Sequence, residues 1–172
     1  NEAAGLERFA ASEPALMLSI RYGLILKDPV IAIPFHGILN LHSGALPDYK
    51  GVMASFWALL NDESEIGTTL HFIEDSSIDT GSIVASTRLA VQRERSYLWH
   101  VLSLYEAGCG EMLAAVEKIE AGQNLRSTSQ AEAGNYYSFP GVKDLQRFSD
   151  NGWRLFDPED VLNVVRQFVI AG

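Results

Sequence analysis

Cysteine is nearly absent from this chain: Cys109 is the only one in 172 residues. A lone thiol excludes an internal disulfide and a multi-thiolate zinc site, and it points to a reducing compartment, with the cytoplasm as the expected location. Basic residues are also scarce. Thirteen Lys and Arg stand against 22 Asp and Glu, a formal net charge of −9, so the long-range field repels phosphate backbones and nucleic acid is not expected as a partner. No stretch approaches the roughly 18 apolar residues of a membrane-spanning helix. Residues 1–12 also lack the basic start and apolar run of a signal peptide, so a membrane is not expected either. The four histidines contain no short-spaced ligand pair and no cysteine cluster joins them, so no metal site is expected. Repeats, heptads, Gly-rich phosphate loops and low-complexity tracts are missing as well.

What is present fits one folded domain. The hydrophobic share is 47% and the charged share 20%, enough apolar side chain for a sizeable core. Short apolar runs at Ala15 to Ile20, Leu24 to Leu26 and Gly37 to His42 have the length of buried strands or their ends. Met53, Phe56, Trp57 and Leu60 recur at helical spacing. Gly67 to Ile73 turns β-branched and aromatic, and the acid-rich loop from Glu74 to Asp79 leads to a further strand near Ser82 to Ser86. The longest periodic segment, Ser96 to Ala121, predicts a helix with a stripe of Leu98, Val101, Leu102, Tyr105, Cys109, Met112, Val116 and Ile119. Gly108 and Gly110 inside it each cost about 1 kcal/mol against alanine and imply close packing or irregularity. Cys109 on the stripe reads as a buried, inert thiol. Helical patterns near Val142 to Ser149 and Pro158 to Val169 follow an aromatic segment, Tyr136 to Pro140. The pattern predicts an α/β fold, an open sheet in the first half and helices toward the end, with a core over residues 15–125 and a helical tail over 126–172.

Asn40 and His42 lie two residues apart at the end of a predicted strand, so their side chains share a side at the edge where open α/β sheets bind ligands. Taken alone, an Asn-x-His reads equally as a satisfied polar pair in a loop, and Asp79-Thr80-Gly81 as an ordinary turn. The ordered set changes this. Tyr22-Gly23-Leu24-Ile25-Leu26, Gly37 through Pro47 with its Asn-Leu-His, Tyr49-Lys50-Gly51, Trp57 to Asn61 and Ile78-Asp79-Thr80-Gly81 together resemble the formyltransferases that use 10-formyltetrahydrofolate. Members of that family formylate methionyl-tRNA, glycinamide ribonucleotide or sugar nucleotides, or hydrolyse the formyl donor.

The resemblance implies an open, mostly parallel Rossmann-like sheet with flanking helices, and Asn40, His42 and Asp79 as a catalytic trio. It implies 10-formyltetrahydrofolate as formyl donor, its pterin gripped mainly by main chain at Leu24, Ile25 and Leu26 and by the loop carrying Glu74, Asp75 and Ile78. Leu24 to Leu26 read equally as core packing, and Glu74 and Asp75 as solvated loop acids. His71, on the strand before that loop, reads first as a packed strand histidine and second as a ligand contact. A small-molecule amine, such as an amino sugar on a nucleotide, is the expected acceptor; hydrolysis of the donor and a non-catalytic folate-binding or interaction module are the alternatives. Two departures from the family pattern stand out. The segment after His42 reads Ser43-Gly44-Ala45-Leu46-Pro47, where relatives often carry leucines. Only 21 residues precede Tyr22, where relatives carry several dozen; this implies either a fragment truncated at the N-terminus, the C-terminal portion of a catalytic domain, or an unusually reduced member, with self-association or pairing with a separate segment through an exposed apolar edge or face.

Overall fold

The computed structural model describes residues 3–130 and 134–169. Its centre is a four-stranded sheet in the order β1-β2-β4-β5, built from β1 (Met17–Ile20), β2 (Ile38–His42), β4 (Glu65–Phe72) and β5 (Ile83–Ala90). A second sheet pairs β3 (Tyr49–Gly51) with β6 (Asn135–Tyr137). The helices are α1 (Ala3–Ala11), α2 (Asp28–Ile31), α3 (Ala54–Leu60), α4 (Tyr97–Glu120), α5 (Val142–Asp150) and α6 (Pro158–Val169).

The α/β expectation holds, but the main sheet is mixed rather than mostly parallel. Only β1 and β2 run parallel within it; β2–β4 and β4–β5 are antiparallel. The connections explain this. The path from β1 to β2 crosses over through α2, as parallel neighbours require, whereas β5 returns from β4 through a single loop. Leu24 to Leu26 form no strand; they lie in the loop after β1, with Leu24 66% and Ile25 53% exposed and only Leu26 buried.

The long helix α4 begins at Ser96, whose hydroxyl accepts from the Trp99 N–H at 3.3 Å. Its wholly buried face includes Val101, Leu104, Gly108, Met112 and Ala115, a rotation away from the expected stripe, whose other members are only half-buried. Small residues decide this: a Cβ on Gly108 would stand 3.0 Å from Thr68 Oγ1 and 3.1 Å from Leu41, so the helix touches the sheet where it has no side chain. Gly110 has nothing within 4 Å, and packing gives no reason for it. Below α4, Leu39, Leu41 and Leu70 meet Met112 and Ala115; a second cluster joins α3 to α5 through Phe56 and Phe148, stacked 4.4 Å apart, and Trp153.

Candidate active site

A cavity of about 450 Å³ opens at the end of β1 and β2. Strand alternation puts Asn40 and His42 on one face of β2, and the antiparallel register sets His71 of β4 directly opposite Asn40. Asn40 Nδ2 lies 3.1 Å from His71 Nε2. Asp79 arrives from the loop after β4, its Oδ2 3.5 Å from His42 Nδ1 and its Oδ1 3.4 Å from His71 Nε2. Its own backbone is left-handed, φ 55°, a conformation that aspartate adopts more readily than most side chains. The Gly51 N–H donates to Oδ2 at 2.7 Å. Gly51 itself has φ 93°, and a Cβ there would stand 2.2 Å from the Tyr137 carbonyl oxygen, so the β3–β6 pairing that aims this N–H requires glycine.

Backbone carbonyls decide both histidine tautomers. His42 Nε2 is 2.7 Å from the Tyr49 carbonyl and His71 Nδ1 is 2.8 Å from the Phe72 carbonyl. A carbonyl only accepts, so these nitrogens carry the hydrogens, and in neutral rings the inward nitrogens are acceptors. The Asn40 amide donates to His71 Nε2 and keeps a second N–H. Among the described residues Asp79 therefore faces two acceptor nitrogens, with the Gly51 N–H as its donor. A proton delivered to this point is shared by a carboxylate and two imidazoles. The electrostatics agree. Burial holds His42 below its ordinary value, outweighing the pull of Asp79 and of the Tyr49 carbonyl. The ring thus rests neutral, although Asp79 on its own favours the protonated form. Burial pushes the Asp79 carboxyl up, but His71 and His42, each in its protonated form, and the Gly51 N–H bring it below the ordinary value, so it rests as a carboxylate.

The loop after His42 packs against this cluster. Thr69 Oγ1 donates to the Gly44 carbonyl at 2.8 Å and accepts from the Leu46 N–H at 3.1 Å. A Cβ on Gly44 would lie 2.5 Å from His42 Nε2 and 2.8 Å from the Tyr49 carbonyl, so the glycine leaves room for the bond that sets the His42 tautomer.

Leu24, Ile25, Leu26, Asp75 and Ile78 all line the cavity. Glu74 does not: it accepts from Ser82 Oγ at 2.6 Å and closes the base of its loop. Among the described residues the main-chain groups of Leu24 and Leu26 enter none of the loop, turn or strand hydrogen bonds, so they remain open to a ligand's hydrogen-bonding edge. The aromatic segment is split. Tyr137 stacks between Tyr49 and Trp57, 5.4 and 5.1 Å away, whereas Tyr136 and Phe139 face the cavity. Sequence reasoning left His71 out of the candidate site, and the structure places it on the cavity wall. Its one signal was a histidine within an otherwise apolar and β-branched strand that leads into the Asp79 loop.

A model of the formyl transferase family matches residues 1–98. The chain is 32% identical over 120 residues to a methionyl-tRNA formyltransferase of Synechococcus sp. (strain JA-3-3Ab), covering 70% of this chain and 36% of that protein. It spans half or less of the length of this and other curated relatives that it matches. Among solved structures, the formyltransferase PseJ from Anoxybacillus kamchatkensis, in complex with UDP-4,6-dideoxy-4-formamido-L-AltNAc and tetrahydrofolate, is 22% identical with a TM-score of 0.66, covering 89% of this chain and 90% of that one. The N-formyltransferase from Helicobacter canadensis, in complex with folinic acid and dTDP-3-aminofucose, is 28% identical with a TM-score of 0.56, covering 74% and 45%. A family match over more than half of the sequence, on a fold shared with solved formyltransferases, shows that this chain belongs to the formyl transferase family.

Proposed function

We propose that this chain carries the catalytic centre of an N-formyltransferase that moves the formyl group of 10-formyltetrahydrofolate to an amine. The observation that carries this reading is the convergence of Asn40, His42 and Asp79 on one cavity wall, around a point that accepts a proton. The amine adds to the donor's formyl carbon before the bond from that carbon to N10 breaks. Negative charge then gathers on the formyl oxygen, and the second N–H of Asn40 is a donor for it. The attacking amine must lose a proton, which the neutral His42 beside the Asp79 carboxylate receives and returns to N10 as the carbon–N10 bond breaks. His71 touches both Asn40 and Asp79 and is read here as a positioning residue. The open main-chain groups at Leu24 and Leu26, with Asp75 and Ile78 across the cavity, suit a pterin that offers a row of donors and acceptors.

A small amine, such as an amino sugar on a nucleotide, is the favoured acceptor. The sugar-nucleotide formyltransferase noted above matches nearly the whole of this chain with nearly the whole of its own, and a net charge of −9 disfavours tRNA. Methionyl-tRNA is the second reading, because the most similar curated relatives act on it by name. Supplying 10-formyltetrahydrofolate with either acceptor and detecting the formylated product separates them. Formate release without an acceptor would mean hydrolysis, and folate binding without turnover a non-catalytic module.

A further inference from the structure

Arg21 is the only arginine or lysine among the described residues that line the cavity. It follows Ile20, which pairs with Leu41, so it leaves β1 level with His42 and about one strand spacing, ~4.8 Å, from it at the backbone. Its backbone is left-handed, φ 50°, a conformation that side chains rarely adopt. The guanidinium donates to the Tyr105 hydroxyl of α4 at 3.0 Å. Tyr105 stands one and two helical turns after Val101 and Tyr97, both on the cavity wall. A phenol orients a guanidinium without cancelling its charge, and among the described residues no carboxylate forms an ion pair with Arg21. In a chain of net charge −9, a cation held by a neutral partner at the cavity is a specific arrangement. One of its five N–H donors is used by Tyr105; the remainder form a fork that matches the paired oxygens of a phosphate or a carboxylate.

We propose that Arg21, oriented by Tyr105, is an anion-recognition residue of this cavity, taking either a phosphate of the amine acceptor or the carboxylate of the folate's glutamyl tail. This rests on the formyl-transfer reading. The test is titration calorimetry on the wild type, Arg21→Gln, Arg21→Lys and Tyr105→Phe with two pairs of probes: uridine diphosphate against uridine, and tetrahydrofolate against 6-methyltetrahydropterin, which keeps the pterin and carries no carboxylate. Within each pair only the anionic member should depend on Arg21. A loss of about tenfold or more for uridine diphosphate in Arg21→Gln, with uridine unchanged, assigns the acceptor phosphate. The same loss for tetrahydrofolate alone, with 6-methyltetrahydropterin unchanged, assigns the tail. Arg21→Lys should retain part of the affinity and Tyr105→Phe should lose less than Arg21→Gln. Equal affinity of wild type and Arg21→Gln for both anionic probes overturns the proposal, as does an equal loss for the charge-free probes, which would mark a structural role. A wild type that binds no tetrahydrofolate sinks the formyl-transfer reading, while the difference between uridine diphosphate and uridine still judges Arg21.

Discussion

His42 rests neutral because its surroundings withhold water, and this sets its pH behaviour. With its value held below the ordinary 6.5 by burial, the ring remains a proton acceptor through and below that pH. The ratio kcat/KM is therefore expected to be level on the alkaline side of 6.5 and to fall only on the acid side, as read from a pH profile. His42→Ala should abolish transfer while tetrahydrofolate still binds, measured by product formation and calorimetry on the same preparation; unchanged turnover removes His42 from the mechanism. Asn40→Ala should lower kcat by about 10²–10³-fold, the usual loss for one oxyanion donor. Stability follows the same sign. His42 and His100 are both held low by burial, His100 between the Ser96 carbonyl and the Gln92 N–H. The unfolded chain then binds more protons than the folded one below about pH 6.5. The stabilisation is complete above that pH and declines as pH falls toward the lower folded values, so the urea midpoint should be lower at pH 5.5 than at pH 7.5.

Helix α4 carries a paired test of packing against propensity. A side chain at Gly108 meets Thr68 and Leu41, so Gly108→Leu should destabilise by about 1–3 kcal/mol through overpacking. Gly110 faces open space, so Gly110→Ala should stabilise by about 1 kcal/mol through helix propensity. Urea unfolding of the two variants measures both; equal signs would refute the account of how α4 lies on the sheet. The same helix is tied to α6 through Asp160, which is buried and accepts from the Ser96 N–H at 2.7 Å and from Arg95 at 2.9 Å. Helical periodicity made α4 legible in the sequence, and glycine marked where it is special. The face it buries was not legible, because closest approach is decided by the smallest residues opposite Leu41 and Thr68 and not by the most apolar ones.

The main sheet ends at β1, which among the described residues pairs with β2 alone. Leu18 and Ile20 on that strand remain 44% and 42% exposed, and an apolar strand with an open edge invites another. The isolated chain is expected to self-associate at micromolar concentration, and Leu18→Lys with Ile20→Lys to return it to monomer. Sedimentation velocity measures both; a wild-type monomer refutes the expectation.

Local chemistry was enough to mark Asn40 and His42 as neighbours, since a strand's alternation is a property of the backbone itself, whereas Asp79 read as an ordinary turn until the ordered motifs marked it. The ordered motifs likewise carried the family and the α/β class. Long-range pairing settled the rest. His71 reads as an ordinary strand histidine until the β2–β4 register sets it against Asn40. Tyr49 and Phe72 bear on the two histidines only through their carbonyls, which no side-chain pattern records. Gly44 and Gly51 read as turn residues until the space beside His42 and Tyr137 gives the reason for each. Arg21 had no signal at all: its partner Tyr105 lies 84 positions away in sequence, and a contact over that distance exists only once α4 is laid across the sheet.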